Sequence, residues 1–179
     1  MELSSDILPT NKFVFYLRQD HYFLEEFSQF LNCAKQKTSD NKLKEWLDNL
    51  YMSTVNSEMK MQKQLLNSLW LSSSSHNTSN YEFFPCRTTL NYTSYLMNTS
   101  SNGTLNEIVS VMAPCPWTYL EIAQKLSKMV KGNEAYKKWV QFYSSTESHR
   151  QVAEIKEILN RKSYIIIHFE LIFLETWLM

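Results

Sequence analysis

The sequence predicts an all-α fold, a single helical bundle in which residues 1–179 form one domain. Apolar residues recur at helical spacing along most of the chain, and this periodicity is the main sequence signal of amphipathic helices. Only two glycines and four prolines are present, too few for the many tight turns of an all-β sandwich. No internal repeat or change in composition marks a domain boundary, and 179 residues is a usual length for one domain.

Two long helical segments are predicted in the N-terminal part of the chain. The first covers residues 12–36, and its apolar stripe carries one carboxylate, Asp20. Asp40 is a suitable N-cap for the second segment, which runs towards Leu69. The Ser-rich residues 72–80 then predict a loop. The large apolar residues of the first stripe are Phe13, Leu17, Leu24, Phe27 and Leu31.

Shorter helices are predicted after this loop, over residues 88–97 and 104–132. Pro114 and Pro116 interrupt the second of these helices. They predict a kink there, because each proline lacks the backbone donor that a helix interior needs. The remaining helical segments are residues 133–143 and 163–179, which makes a bundle of roughly six helices.

Charge and composition disfavour several classes of function. Lys plus Arg and Asp plus Glu each number 18, so no net charge favours a nucleic acid or an anionic membrane as partner. Two glycines far apart in the chain cannot form a P-loop or a dinucleotide-binding fingerprint. The apolar residues 164–179 are too few to span a bilayer. We therefore expect no nucleic-acid partner and no membrane partner.

The cysteines predict a reducing compartment. Cys33, Cys86 and Cys115 form no CxxC pair, and the N-terminal residues lack the features of a secretory signal. We therefore expect a cytoplasmic protein with free thiols.

Metal and cofactor sites are disfavoured by the residue pattern. A di-iron bundle needs Glu-x-x-His pairs on two helices, and the chain has none. His168 is the one candidate for an inward haem ligand, and its helical phase disfavours that role. We therefore expect no metal and no cofactor, while an oxidative enzyme that uses one in the same bundle is a weaker alternative.

Three reactive side chains lie on the predicted inner faces of helices. Asp20 lies on the first helix, Glu170 on the last, and Cys115 at the proline kink. Each alone is most simply a satisfied core residue. Burial of an unpaired carboxylate costs several kcal/mol, so two inward carboxylates from opposite ends of the chain predict one shared polar cavity.

Several stretches of the sequence are similar to one known family. They read KFVFYLRQDHYFLEEF (residues 12–27), LNYTSYL (90–96), MAPCPWTYLEIAQKL (112–126), YKKWVQFYSS (136–145) and HFELIFLETW (168–177). In this order and spacing the chain resembles the TenA/thiaminase II family, aminopyrimidine aminohydrolases of thiamin salvage with a haem-oxygenase-like all-α fold. The similarity extends from about residue 8 to residue 177, and the cysteine stretch is its most specific part.

The resemblance implies a cofactor-free hydrolase that cleaves a C–N bond. Position by position, Cys115 matches the nucleophile and Glu170 the proton donor. The implied substrate is an aminopyrimidine with an aminomethyl arm, or thiamin itself. An apolar helix favours the protonated form of Glu170, as an acid requires, because burial raises a carboxyl pKa.

The resemblance also implies the residues that hold the substrate. Asp20, Tyr119 and Tyr143 match the residues that bind the pyrimidine, and Tyr92 matches a tyrosine near the cysteine. Phe23 occupies a position of the substrate site where a tyrosine that assists the cysteine is often found. The family further implies a homotetramer.

The chain departs from the family pattern in two more places, and these leave a second interpretation open. It begins close to the first catalytic helix, and the segment between Tyr143 and Glu170 is shorter than usual. The alternative is therefore a non-catalytic or degenerate protein that binds a pyrimidine, or another partner, on the same scaffold.

Overall fold

The computed structural model describes residues 2–72 and 83–161, apart from the side chains of residues 70–72 and 161. Within these ranges lie eight α-helices, one π-helical turn and no strand, which confirms the all-α prediction. The α-helices are α1 (Thr10–Gln36), α2 (Asn41–Ser53), α3 (Met59–Ser72), α4 (Arg87–Asn102), α5 (Leu105–Met112), α6 (Pro114–Ser127), α7 (Glu134–Tyr143) and α8 (Thr146–Arg161).

The long helix α1 is the centre of the bundle. It packs against α2, α3 and α4, while α6 packs against α7 and α8. Its predicted apolar stripe is buried throughout, and Asp20 is buried with it at 6% exposure. This confirms the prediction that a carboxylate lies on the inner face of the first helix.

The second predicted segment is divided by a π-helical turn. Asp40 caps α2 as expected, since its side chain accepts from the backbone N–H groups of Lys42 and Leu43. The π-helical turn Thr54–Glu58 then joins α2 to α3. Such a turn inserts one extra residue, so it changes the direction of the side chains around it.

The proline pair marks a helix boundary. α5 ends at Met112, and α6 begins at Pro114. Both prolines lie in the first turn of α6, where the backbone N–H has no intrahelical partner to lose. Ala113 between the two helices keeps helical dihedral angles, φ −58° and ψ −37°. The predicted kink is therefore a junction between two helices.

Other boundaries differ from the prediction. α4 continues to Asn102, beyond the expected end at residue 97. α6 ends at Ser127, well before Gly132, whose φ of +72° belongs to the connection to α7. The helix α8 was not predicted. The predicted helix over residues 163–179 lies outside the described residues, as does nearly all of the predicted loop.

Two clusters of buried side chains form the core, and α1 contributes to both. One cluster surrounds Phe23 and Phe30 with residues of α2, α4 and α5. The other surrounds Phe13 and Leu17 with residues of α3, α6 and α7. Asp20 lies on α1 between the two sets. In the described ranges, no helix is long and apolar enough to cross a membrane.

Candidate functional site

Asp20 is the centre of a buried hydrogen-bond network between α1, α3 and α6. The Tyr119 hydroxyl donates to Asp20 Oδ1 at 2.7 Å, and the Tyr16 hydroxyl donates to Oδ2 at 3.1 Å. The amide nitrogen of Gln62 also donates to Oδ2. Trp139 Nε1 donates to the Tyr16 oxygen at 3.1 Å, which fixes the direction of that hydroxyl. A carboxylate thus replaces its lost hydration by several protein donors.

Two opposing effects set the charge of Asp20. Burial raises the pKa of this carboxyl group, and the hydrogen bonds from Tyr119, Tyr16 and Gln62 lower it, with a result of about 6. Since this pKa is below neutral pH, the Asp20 side chain is mainly ionised there. The network therefore holds a buried negative charge.

A second carboxyl group, Glu58, lies in the same region. It ends the π-helical turn, and the Tyr143 hydroxyl donates to its Oε1 at 2.7 Å. Burial raises the pKa of Glu58 to about 8, and the negative charge of Asp20 contributes in the same direction. Glu58 is therefore mainly protonated at neutral pH, and the two carboxyl groups differ in charge.

Gln62, one turn after Glu58, has an open hydrogen-bond acceptor. The residue is fully buried, and its side-chain nitrogen donates a hydrogen bond to Asp20. Its amide oxygen has no hydrogen-bond partner among the described residues. A buried acceptor left without a donor costs roughly 1–3 kcal/mol, which a ligand N–H can offset.

Sequence reasoning missed both Glu58 and Gln62. A signal was present, because polar residues replace apolar ones in the middle of one helical stripe. The stripe runs through Leu47, Leu50, Thr54, Glu58, Gln62, Leu65 and Leu69.

Cys115 is the second residue of α6 and is partly buried against the Phe23 cluster. Burial raises the pKa of its thiol well above the usual value, and the charge of Asp20, together with that of Glu58 once Glu58 has lost its proton, adds to the effect. These interactions place Cys115 in the field of both carboxyl groups and favour the neutral thiol.

Stacked aromatic rings line the region of Cys115. Tyr92 and Phe23 stack in parallel at 5.5 Å between ring centroids, and Phe23 stacks on Phe27 at 5.5 Å. The Tyr92 hydroxyl donates to the backbone carbonyl of Val111 at 3.0 Å. Burial raises the pKa of the Tyr92 hydroxyl well above its usual value. Tyr92 and Cys115 pack against the same cluster of buried side chains.

The structure thus brings together most of the residues that the sequence predicted. Asp20, Tyr119 and Tyr143 form one connected group, since the rings of Tyr119 and Tyr143 lie 4.7 Å apart. Tyr92, Phe23 and Cys115 pack in or against the neighbouring cluster. Glu170 lies outside the described residues. The roles of these residues stay predictions.

An apolar cavity of about 240 Å³ lies on the outer side of the Asp20 network. Tyr16, Tyr119 and Trp139 belong both to its lining and to the network. Ile122 also lines it and is 42% exposed. In residues 2–72 and 83–161, no group of three or more His, Cys, Asp or Glu side chains is placed to hold a metal ion.

The fold and this site define a class of all-helical bundle proteins with a buried site of carboxyl groups, tyrosines and a cysteine. The model of the TENA/THI-4/PQQC family matches residues 2–166. The chain belongs to this family.

Curated relatives carry the name aminopyrimidine aminohydrolase. The protein from Halalkalibacterium halodurans is 28% identical over 78% of this chain and 62% of its own length. The protein from Bacillus subtilis is 26% identical over 82% of this chain and 61% of its own. The protein from Helicobacter pylori is 29% identical over 78% of this chain and 64% of its own. The chain thus spans less than two thirds of the length of these relatives.

Solved structures show the same fold. A TenA homologue from Pyrococcus horikoshii aligns with a TM-score of 0.81 at 24% identity, over 98% of this chain and 81% of that one. A TenA homologue from Pyrococcus furiosus aligns with a TM-score of 0.78 at 19% identity, over 98% and 82%. At these identities the similarity concerns the fold alone.

Proposed function

We propose that the chain is an aminopyrimidine aminohydrolase of thiamin salvage, a hydrolase acting on a C–N bond. In this proposal it converts an aminomethyl-aminopyrimidine, or thiamin, to the hydroxymethylpyrimidine. One observation carries the proposal: the Tyr119 hydroxyl donates to Asp20 at 2.7 Å, and Cys115 lies one turn before Tyr119 on the same helix, α6. The family membership and the names of the curated relatives support it.

The chemistry of recognition matches a flat ring that carries amino groups. Asp20 accepts hydrogen bonds, and the open oxygen of Gln62 is a second acceptor beside it. The aromatic rings of Tyr119, Tyr143 and Trp139 lie within 4.7–5.8 Å of one another, and such faces pack well on a heteroaromatic ring.

Cys115 and Glu170 supply the reaction in this proposal. Addition of the Cys115 thiolate to the electron-poor ring forms a C–S bond. The ring electrons then break the C–N bond at the methylene, and Glu170 gives a proton to the departing amine. Water adds to the methylene, the C–S bond breaks, and one proton returns to the site. The net change consumes water and releases ammonia.

The location and assembly of the protein belong to the same proposal. The cysteines and the N-terminal residues predict a cytoplasmic protein, and the sequence resemblance implies a homotetramer. Light scattering on the purified protein tests the oligomeric state, and a monomer of 21.3 kDa would contradict it.

A second candidate is a protein that binds the pyrimidine without cleaving it. Two observations favour this alternative. Phe23 offers no hydroxyl group to the cysteine region, and the groups that shift the Cys115 pKa all raise it. A thiol held neutral is a weak nucleophile.

Ammonia release from the aminomethyl-aminopyrimidine separates the two candidates. The native protein, Cys115→Ser and the matched control Cys33→Ser are compared, with circular dichroism to verify the fold. We expect release by the native protein and by Cys33→Ser, and none by Cys115→Ser. Release that persists in Cys115→Ser contradicts the nucleophile. A folded native protein that binds the pyrimidine and releases no ammonia supports the second candidate.

A further inference from the structure

The protons of the site are directed away from any ligand. The hydroxyl groups of Tyr16 and Tyr119 and the amide of Gln62 all donate to Asp20. A tyrosine hydroxyl carries a single proton, so once that proton is used only its lone pairs remain available. The Asp20 network therefore presents acceptors to a ligand.

The proton of the Tyr143 hydroxyl is also used within the protein, by Glu58. Its hydroxyl donates to Glu58 Oε1 at 2.7 Å. Its ring contacts both Tyr119 and Trp139, with centroids 4.7 Å and 4.8 Å apart. This packing leaves the hydroxyl in the same site as Asp20, while its proton points to Glu58.

We propose that Glu58 is a positioning residue of this site, which fixes the direction of the Tyr143 hydroxyl and so makes the Tyr143 oxygen an acceptor for the amino groups of the substrate. This inference deepens the proposed function and rests on it for the identity of the ligand. Without Glu58, the Tyr143 hydroxyl is free to rotate and to donate to a ligand that carries an oxygen acceptor.

The π-helical turn explains how Glu58 reaches this position. It ends at Glu58, and Gln62 follows one turn later on α3. Gln62 Nε2 reaches Asp20 while Glu58 reaches Tyr143. The two residues on one helical stripe thus control the hydrogen-bond direction at both carboxyl groups.

Glu58 can accept from Tyr143 in either protonation state, because a neutral carboxyl group keeps its carbonyl oxygen as an acceptor. The titratable groups that interact with Glu58 are Asp20 on α1, Cys115 on α6 and Tyr143 on α7. Burial and the Asp20 charge raise the pKa of Glu58. Glu58 is therefore neutral at neutral pH, and a neutral glutamine reproduces both its shape and its acceptor oxygen.

Calorimetric binding of two probes tests the proposal. The first probe is the aminopyrimidine product with its hydroxymethyl arm, and the second is the analogue in which an oxo group replaces the ring amino group. The proteins are the native chain, Glu58→Gln, Glu58→Met and Tyr143→Phe. Loss of one hydrogen bond to a neutral group corresponds to a change of about tenfold at most.

We expect the native protein to prefer the amino probe, and Glu58→Gln to keep most of that preference. Glu58→Met is expected to reduce the preference about tenfold. In the Tyr143→Phe background, Glu58→Met should cause no further reduction, because the hydroxyl that it positions is absent. A general structural defect would weaken both probes equally and would not be rescued by glutamine.

Unchanged preference in Glu58→Met contradicts the proposal, as does a native protein that binds the amino probe no better than the oxo probe. Failure of the proposed function is a different result. Selective binding without ammonia release rejects the hydrolase and keeps the role of Glu58. Ammonia release with the same preference in Glu58→Met keeps the hydrolase and rejects the positioning role.

Discussion

The two sides of the site are held together by different forces. On the carboxylate side, Tyr16, Tyr119 and Gln62 direct their protons to Asp20, and Tyr143 directs its proton to Glu58. On the thiol side, Phe23 and Tyr92 are held by ring stacking, and the Tyr92 hydroxyl is used by a backbone carbonyl. Hydrogen bonds therefore fix the side chains around Asp20 and Glu58, whereas Cys115 lies in mainly apolar surroundings.

This difference has a consequence for reactivity. In the proposed function the charge of Asp20 attracts the N–H donors of the ligand, but the same charge adds to the effect of burial in raising the pKa of Cys115. A substrate that brings amino groups to Asp20 screens that charge and removes part of the obstacle to thiolate formation. The comparison predicts that the carboxylate side determines affinity and that the thiol side limits the rate.

The largest effect is expected at Asp20. In Asp20→Asn the charge is lost, and the hydrogen bonds to a charged acceptor become neutral ones, so binding of the aminopyrimidine product should weaken about 10²-fold. Isothermal titration calorimetry measures this change. Asp48→Asn is the matched control, because Asp48 forms an exposed ion pair with Lys35. Equal affinity in the native protein and in Asp20→Asn would show that the Asp20 charge does not contribute to binding of the pyrimidine.

A smaller effect is expected at Gln62. Gln62→Met removes both the donor to Asp20 and the open acceptor, so binding of the same product should weaken about tenfold. The free energy of unfolding should change little, because the unpaired buried oxygen is lost together with the hydrogen bond. Titration calorimetry and urea denaturation measure the two quantities. Gln151→Met is the control on affinity, because the amide of Gln151 donates to Ser53 away from Asp20. Native affinity in Gln62→Met would show that Gln62 does not contact the ligand.

The pH dependence of stability tests the charge of Glu58. Its pKa is raised from 4.5 to about 8 in the folded protein, so the folded state binds this proton more tightly than the unfolded chain. The native protein should therefore lose stability as the pH rises from about 5 to 8, whereas Glu58→Gln should lose only the part that Asp20, with its pKa raised to about 6, contributes up to about pH 6. The stability difference between them should exceed about 1 kcal/mol at pH 8.5, because one pKa unit corresponds to about 1.4 kcal/mol.

Thermal melts between pH 5 and pH 9 measure this difference. Glu147→Gln is a control of opposite sign, because the hydrogen bond from Arg150 lowers the pKa of Glu147. Its pairing contributes stability above the unfolded pKa and loses it on acidification, with a small effect at an exposed site. A melting temperature difference between Glu58→Gln and native protein that stays constant with pH would contradict the protonated state of Glu58.

The smallest effect is expected on the thiol side. Phe23→Tyr adds a hydroxyl donor to the aromatic stack against which Cys115 packs. A donor near the sulfur favours the thiolate, so iodoacetamide should alkylate Cys115 roughly severalfold faster at pH 8. Mass spectrometry of the Cys115 peptide measures the rate. Phe27→Tyr, further along the same stack, should have less effect. Equal rates in both variants would show that position 23 does not act on the thiol.

The all-α fold and most of the predicted site residues could be placed from the sequence. Helical periodicity identified α1 and placed Asp20 on its buried face, and the family resemblance placed Tyr119, Tyr143 and Cys115 near it. The roles that the resemblance implies for these residues, and for Glu170, stay predictions.

Glu58 and Gln62 were missed for a physical reason. They continue a regular helical stripe, but polar residues in such a stripe are usually solvated, and the partners that bury these two, Asp20 and Tyr143, come from distant parts of the chain. The helix α8 was missed because it is largely polar, with Val152 and Ile155 as its fully buried side chains.

The central claim is that the residues around Asp20 bind the pyrimidine and that Cys115, on the other side of the site, is needed only for the reaction. Cys115→Ser tests it most directly when product binding and ammonia release are measured on the same preparation. We predict native affinity for the hydroxymethyl aminopyrimidine and no ammonia release. Loss of binding together with release, or release that continues without the thiol, would contradict the claim.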